Sequence, residues 1–446
     1  MIYYNFYSGE SMNKIEVKKL ILKDKRITVQ FDVSGSDEWK GYFAKPYEMY
    51  AEYNFSVEDI PYSVAIIPFV SDFLPMLWLC DASLTVDELD KAYYESIPEF
   101  RNGFKNMHPK FDCKGTLNVN KIVENHSVVP AERSAAFFSG GVDATNTLIS
   151  HIDEKPVMIT LWGADMPVDN SEGWQTIYNH VTKASSVFGL ELQTVKTSCK
   201  SVLNIAALNA MIERKEFGAN WYEHFYYGIA FFGQVAPLAY KIGLKTIYLA
   251  STNSPDDIGK YTCGSDPTID DFIRFVDCSA VHDSFAVNRQ KKVRNICNYR
   301  KKSGIASPLR VCWKSKDAVN CCVCEKCCRT MLGIMVEDEN PADYGFPYYN
   351  EAVRTQMLNN LKKKYKIQYH FVYYKPIQTV LREKYTYREC PADLKWIYKL
   401  KFKDPNPAFF RAYAFASGIA HKALKLMHIN LSNDWQKIEK QNEKSE

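Results

Sequence analysis

The chain has 446 residues, of which 46% are hydrophobic, 14% aromatic and 24% charged, with a net charge of +4. This is globular composition: it excludes wholesale disorder, collagen and coiled coil, and the length suits two or three domains. Residues 1–19 lack the basic start and unbroken apolar run of a secretory signal, so a cytoplasmic location is expected.

Residues 1–132 read as an α+β domain, with β-like runs at 26–33, 50–55 and 64–70 and helical spacing at 84–97. The longest apolar stretch, 62–80, has spanning length but is interrupted by Pro68, Ser71, Asp72 and Pro75. Those breaks predict a buried strand followed by the start of a buried helix, and no membrane span.

From Ser134, short β-rich runs (135–138, 156–162, 192–197 and 246–251) alternate with segments of helical length and spacing (172–188 and 222–242). Such alternation predicts an α/β domain, 133–340, built on a doubly wound and largely parallel sheet. Ligands of these sheets lie at the carboxyl ends of the strands, near the point where strand order reverses.

After Glu337 a stretch containing Pro341, Pro347, Tyr348 and Tyr349 reads as a linker into a mainly helical module, 341–446. Residues 351–446 hold 19 Lys and Arg against 9 Asp and Glu, whereas the rest of the chain holds 37 against 43. A basic module is thus attached to an acidic body. Lys362, Lys363, Lys364 and Lys366, together with Trp396 and Trp435, form a candidate nucleic-acid surface. A solvated helical face, or a docking surface for an acidic protein, is the favoured alternative.

The sharpest local signal is Ser139-Gly140-Gly141-Val142-Asp143-Ala144-Thr145, between the strand at 135–138 and a helix expected at 145–151. Two glycines at a strand-to-helix turn permit positive φ and close approach of a ligand to backbone amides. With the helix N-terminus, those amides form a site for phosphate or pyrophosphate. Asp143 is placed to cap the helix or to hold Mg²⁺. There is no Walker-type Gly-x-x-x-x-Gly-Lys-Ser/Thr run, so γ-phosphate transfer is not supported.

Cys312, Cys321, Cys324 and Cys327, spaced C-x8-C-x2-C-x2-C among the 13 cysteines of the chain, predict a closed four-thiolate Zn²⁺ site. No ligand position is left for a catalytic water, so the metal is structural in this reading. Cys322 and Cys328 are surplus thiols. An iron-sulfur cluster is the competing assignment, but the ferredoxin run wants a further Cys where Met331 stands.

The loop resembles the PP-loop, S-G-G-x-D-S/T/A, of the ATP pyrophosphatase superfamily, with Ala144 where Ser is commonest. Followed about 170 residues later by the cysteine run, with Lys326 and Arg329 around its last ligand, it resembles 7-cyano-7-deazaguanine synthase (QueC). The resemblance covers roughly residues 134–333. Synthases of queuosine formation are about half this length, and the appended domains are closer to longer QueC-like proteins of Qat-type antiphage clusters.

The resemblance implies an adenine nucleotide alpha hydrolase-like sheet using ATP, Mg²⁺ and Zn²⁺. It implies a small-molecule carboxylate substrate, 7-carboxy-7-deazaguanine or an analogue, which attacks the α-phosphorus of ATP, and an operon-encoded protein partner. Pyrophosphate leaves, and the acyl adenylate goes on to an amide or nitrile, or to a conjugate with a partner's amine.

Candidate catalytic residues are Ser139, Asp143 and Lys292. Residues 139–145, with Ser251 and Arg289, are the candidate nucleotide contacts. The turn-rich loop 261–267 is assigned to the acceptor pocket, while His282, beside Asp283, reads as structural. An RNA-thiolating PP-loop enzyme and a non-catalytic ATP-binding assembly subunit are the rival functions.

Overall fold

The computed structural model describes residues 13–255, 262–306, 308–312, 314, 319–365 and 367–402. Tyr261, Lys366, Trp435 and the remainder of the module after 402 lie outside the described residues.

Eleven described strands form one sheet: β1 (Lys14–Lys23), β2 (Arg26–Ser34), β3 (Glu48–Glu52), β4 (Ser83–Asp90), β5 (Thr116–Val123), β6 (Arg133–Phe137), β7 (Val157–Trp162), β8 (Leu192–Thr197), β9 (Leu244–Ala250), β10 (Arg274–Phe275) and β11 (Cys278–Asp283). Their order is β10-β11-β9-β6-β7-β8-β3-β2-β1-β4-β5. From β11 to β8 every pairing is parallel. The chain runs from β6 outward through β7 and β8, then crosses back to place β9 on the other side of β6. Strand order therefore reverses between β6 and β9, opening a crevice at their carboxyl ends.

β6 is buried along almost its whole length. Ala135 and Phe137 enter one core, with Phe232 and Val235 of helix Tyr227–Ile242, while Ala136 and Phe138 enter another, with Leu148, Ile177 and Val181. Helices thus cover both faces, as a parallel sheet requires.

The expected boundary at 132 falls inside this sheet, because β3 pairs antiparallel with β8 through Ala51–Thr197 and Glu52–Lys196. Two expectations for the first segment are corrected. Residues 64–70 are helical, within Tyr62–Ala65 and Ile67–Leu79, and all of Ile67–Leu79 is buried. A helix buried on every side loses its 3.6-residue pattern and reads like a strand. At 84–97, β4 occupies the part up to Asp90, and the helix is Lys91–Met107, capped by the Asp90 carboxylate.

The stretch read as a linker is packed instead. Tyr344 and Phe346 are buried with Cys312, Cys324 and Cys327 in a further core. Tyr374, Leu381 and Ile397 of the basic module complete that core. No described helix is long and apolar enough to cross a membrane.

Candidate functional site

After β6 the chain turns through Ser139-Gly140-Gly141 into helix Val142–Ser150. Gly140 has φ +78°, and a Cβ built there would collide with the Nε2 of His180. Glycine is required at this position on both grounds. Arg310 also holds the turn, its backbone N–H donating to Gly140 O at 2.7 Å and its Nε to Ser139 O at 3.1 Å.

Gly141 is the N-cap and offers no side chain to the first turn, so the initial amides of the helix are available to an anion. The expectation that Asp143 caps the helix is corrected. It is the second helical residue, and its carboxylate points to Arg289, Nη1–Oδ2 2.5 Å, and to Lys292, Nζ–Oδ1 3.4 Å. Val142 and Ala144 are buried in apolar cores, so what they can offer a ligand is a backbone amide. Thr145 is buried, and its Oγ1 has no described partner.

Arg289 and Lys292 begin helix Arg289–Ser303, whose N-cap Asn288 accepts from Lys291 N. Cations in a first turn oppose the helix dipole, an adverse placement that Asp143 offsets. Burial pushes the Asp143 carboxyl up, but Arg289, Lys292 and Lys326 outweigh it and hold the group below its ordinary range. Lys292 also donates to Ser251 O at 2.5 Å, tying the loop after β9 to the loop after β6. Ser251 is fully buried and gives its own hydroxyl to Asn253 O. Burial, then Arg310, push the His180 imidazole down to about 4, so it is neutral near pH 7.

The four predicted metal ligands are brought together. Their sulfurs all lie within 4.8 Å of one another, with Cys312–Cys324 at 3.9 Å and Cys321–Cys327 at 4.0 Å. A tetrahedral site with metal–sulfur bonds of about 2.3 Å needs sulfurs about 3.8 Å apart, so the cluster fits a metal such as zinc. Cys324 immediately precedes helix Glu325–Met335, which carries Cys327. Buried Asn320 organises the approach: its Oδ1 accepts from Val311 N and Cys312 N, and its Nδ2 donates to Leu309 O and Gly345 O. Burial raises the surplus thiols, Cys322 to about 11 and Cys328 to about 12, which leaves both protonated.

Beyond β9 and β11 lies a cavity of about 710 Å³. Thr262, Asp266 and Pro267 of the predicted acceptor loop line it, with Asn253, Phe285 and Glu216. Met107, from the first segment, contributes to the same wall. No Lys or Arg is among its described lining residues. The loop is docked by Gly264 N to Glu223 O and by Gly228 N to Gly264 O. His282 is buried, its Nδ1 2.8 Å from Asp270 Oδ2 and 3.2 Å from Ser265 Oγ. It anchors the loop from beneath, in line with its structural reading.

His180, Arg310 and Asn320 were not singled out by sequence. His180 and Arg310 lie outside the motifs, and Asn320 occupies a spacer position between Cys312 and Cys321 that the metal-ligand pattern leaves unspecified. No protein-family model, curated protein or solved structure matches the chain.

Proposed function

We propose that the chain is an ATP-dependent synthetase of the PP-loop type, similar to 7-cyano-7-deazaguanine synthase, that adenylates a small carboxylate and passes the acyl group to nitrogen. The observation that carries this reading is the glycine turn at the β6/β9 crevice, with free helix amides on one side and Arg289, Lys292 and Arg310 around it. It is a site for a polyanion at the position where α/β sheets of this kind bind nucleotides.

A carboxylate oxygen of the substrate bonds to the α-phosphorus as the α–β bridging bond breaks, and the electron pair departs with pyrophosphate. Little covalent chemistry is asked of the protein, which holds the phosphates and neutralises growing charge. Asp143 Oδ1, buried without a hydrogen bond, is the oxygen that suits Mg²⁺, and the ion would add charge to stabilise the leaving group. Zinc in the four-thiolate shell would be structural, since no ligand position remains for water.

The amine then attacks the acyl carbon and AMP leaves. A cavity holding Glu216 and Asp266, with no Lys or Arg among its described lining residues, suits an approaching amine better than an anion. That amine is ammonia or belongs to a protein partner, with nucleic acid not favoured. The test is to incubate full-length protein with ATP, Mg²⁺ and 7-carboxy-7-deazaguanine, with and without ammonium, and to follow AMP, pyrophosphate and product mass. AMP and pyrophosphate in equal amounts, dependent on the acid, are expected. ADP formation, or no acid dependence, rejects the reading.

A further inference from the structure

The cations around the phosphate loop differ in what they already hold. Arg289 is engaged by Asp143, Lys292 by Asp143 and Ser251 O, and Arg310 by Ser139 O. Arg329 is ion-paired with Glu325 at 3.6 Å and stacks over the Tyr373 ring at 3.9 Å, although its buried Nε and Nη1 make no hydrogen bond. The half-buried Lys326 ammonium, by contrast, makes no hydrogen bond or ion pair with a described residue. It nevertheless lies within electrostatic reach of Asp143, Arg289 and Asp165.

Its placement is rigid. Lys326 is the second residue of helix Glu325–Met335, between the metal-ligand candidates Cys324 and Cys327. The cysteine cluster therefore sends one cation to the loop on each flank, Arg310 two residues before Cys312 and Lys326 just before Cys327.

We infer that Lys326 is a catalytic residue that contacts the pyrophosphate leaving group, an assignment that rests on the nucleotide reading above. Arg310 shapes the loop by gripping its backbone, whereas Lys326 is the charge left for the ligand. As the bond from the α-phosphorus to the bridging oxygen breaks, negative charge accumulates on pyrophosphate, and a fixed ammonium there favours the transition state over bound ATP. No proton transfer is asked of Lys326 in this step.

The experiment compares wild type, Lys326→Met and Lys326→Arg as full-length proteins in single-turnover AMP formation, with calorimetric binding of inorganic pyrophosphate and of AMP, and metal content by mass spectrometry. Lys326→Met is expected to keep its metal and its AMP affinity, to bind pyrophosphate more weakly, and to lose about a hundredfold or more in rate. Lys326→Arg should recover part of the rate.

If wild type makes AMP and Lys326→Met matches it, the role of Lys326 falls while the nucleotide reading stands. If wild type neither forms AMP nor binds pyrophosphate, both fall. Loss of metal in Lys326→Met, or equal weakening of AMP and pyrophosphate, would make the residue structural and overturn the assignment.

Discussion

Arg289 Nη1 stands 2.5 Å from Asp143 Oδ2, joining the helix after β11 to the helix after β6 across the crevice where strand order reverses. Both side chains are mostly buried, 17% and 18% exposed, so the pair is shielded from solvent screening. The carboxylate balances two cations that would otherwise confront each other at a helix N-terminus. Under the proposed function, a polyanion arriving at the loop would meet charges already in place.

Asp143→Ala should leave Arg289 and Lys292 without their counter-ion. Removing one partner of a buried pair costs about 3 kcal/mol, so urea unfolding should shift by that order while the fold persists. AMP formation should be abolished. Unchanged turnover would show that the loop is not the nucleotide site.

Gly140→Ala should destabilise by more than about 1 kcal/mol, because alanine disfavours the positive φ and its methyl would press on His180. Thermal unfolding with and without ATP checks this, and the ligand-induced rise in melting temperature should disappear. A second change, His180→Ala, should relieve the collision but not the backbone strain, recovering only part of the loss.

Cys324→Ser should lose the metal and weaken the core shared by helix Glu325–Met335 and the basic module, since ligation of a four-thiolate site contributes to folding. Cys322→Ser should keep about one metal per chain. Elemental analysis beside limited proteolysis separates the two. Equal metal loss would mean that the ligand set is wrong.

His180 supplies a pH dependence. Its folded value, about 4, lies below its ordinary 6.5, so between those limits the unfolded chain binds more protons. The stabilisation is fully present above about 6.5 and is lost as pH falls towards about 4. Asp143, depressed below 3.8, contributes in the same direction but only at lower pH, its share being lost as pH falls through its folded value. Urea midpoints from pH 7 to pH 4.5 should fall in wild type, and less steeply in His180→Asn.

Lys362 lies 6.0 Å over the Trp396 ring and Lys364 5.7 Å over that of Tyr365. These contacts are compatible with stacking on bases or with a protein surface. Nucleic-acid binding is expected to be weak at physiological salt. Filter binding across a salt series with Lys362, Lys363 and Lys364 changed to Ala checks it. Nanomolar affinity lost in that variant would favour the RNA-modifying alternative.

The loop 139–143 and the four cysteines were legible because their chemistry is local: two adjacent glycines, and thiols within sixteen positions of one another. The alternation of strands and helices from Ser134 was legible for the same reason, periodicity being a property of short windows. Where the window carried no contrast, as in the wholly buried helix Ile67–Leu79, strand and helix could not be told apart.

The sequence by itself determined that a glycine-rich strand-to-helix turn and a cysteine cluster exist, that a parallel sheet carries the first, and that charge is segregated along the chain. Only the tertiary structure decided that Asp143 faces Arg289 and Lys292 and does not cap its helix. It alone decided that the first segment joins the same sheet through β3 and β8, that Arg310 grips the loop backbone, and that Lys326 lies within electrostatic reach of Asp143. These are relationships between residues up to 183 positions apart, set by burial and strand order, which no short-range pattern encodes.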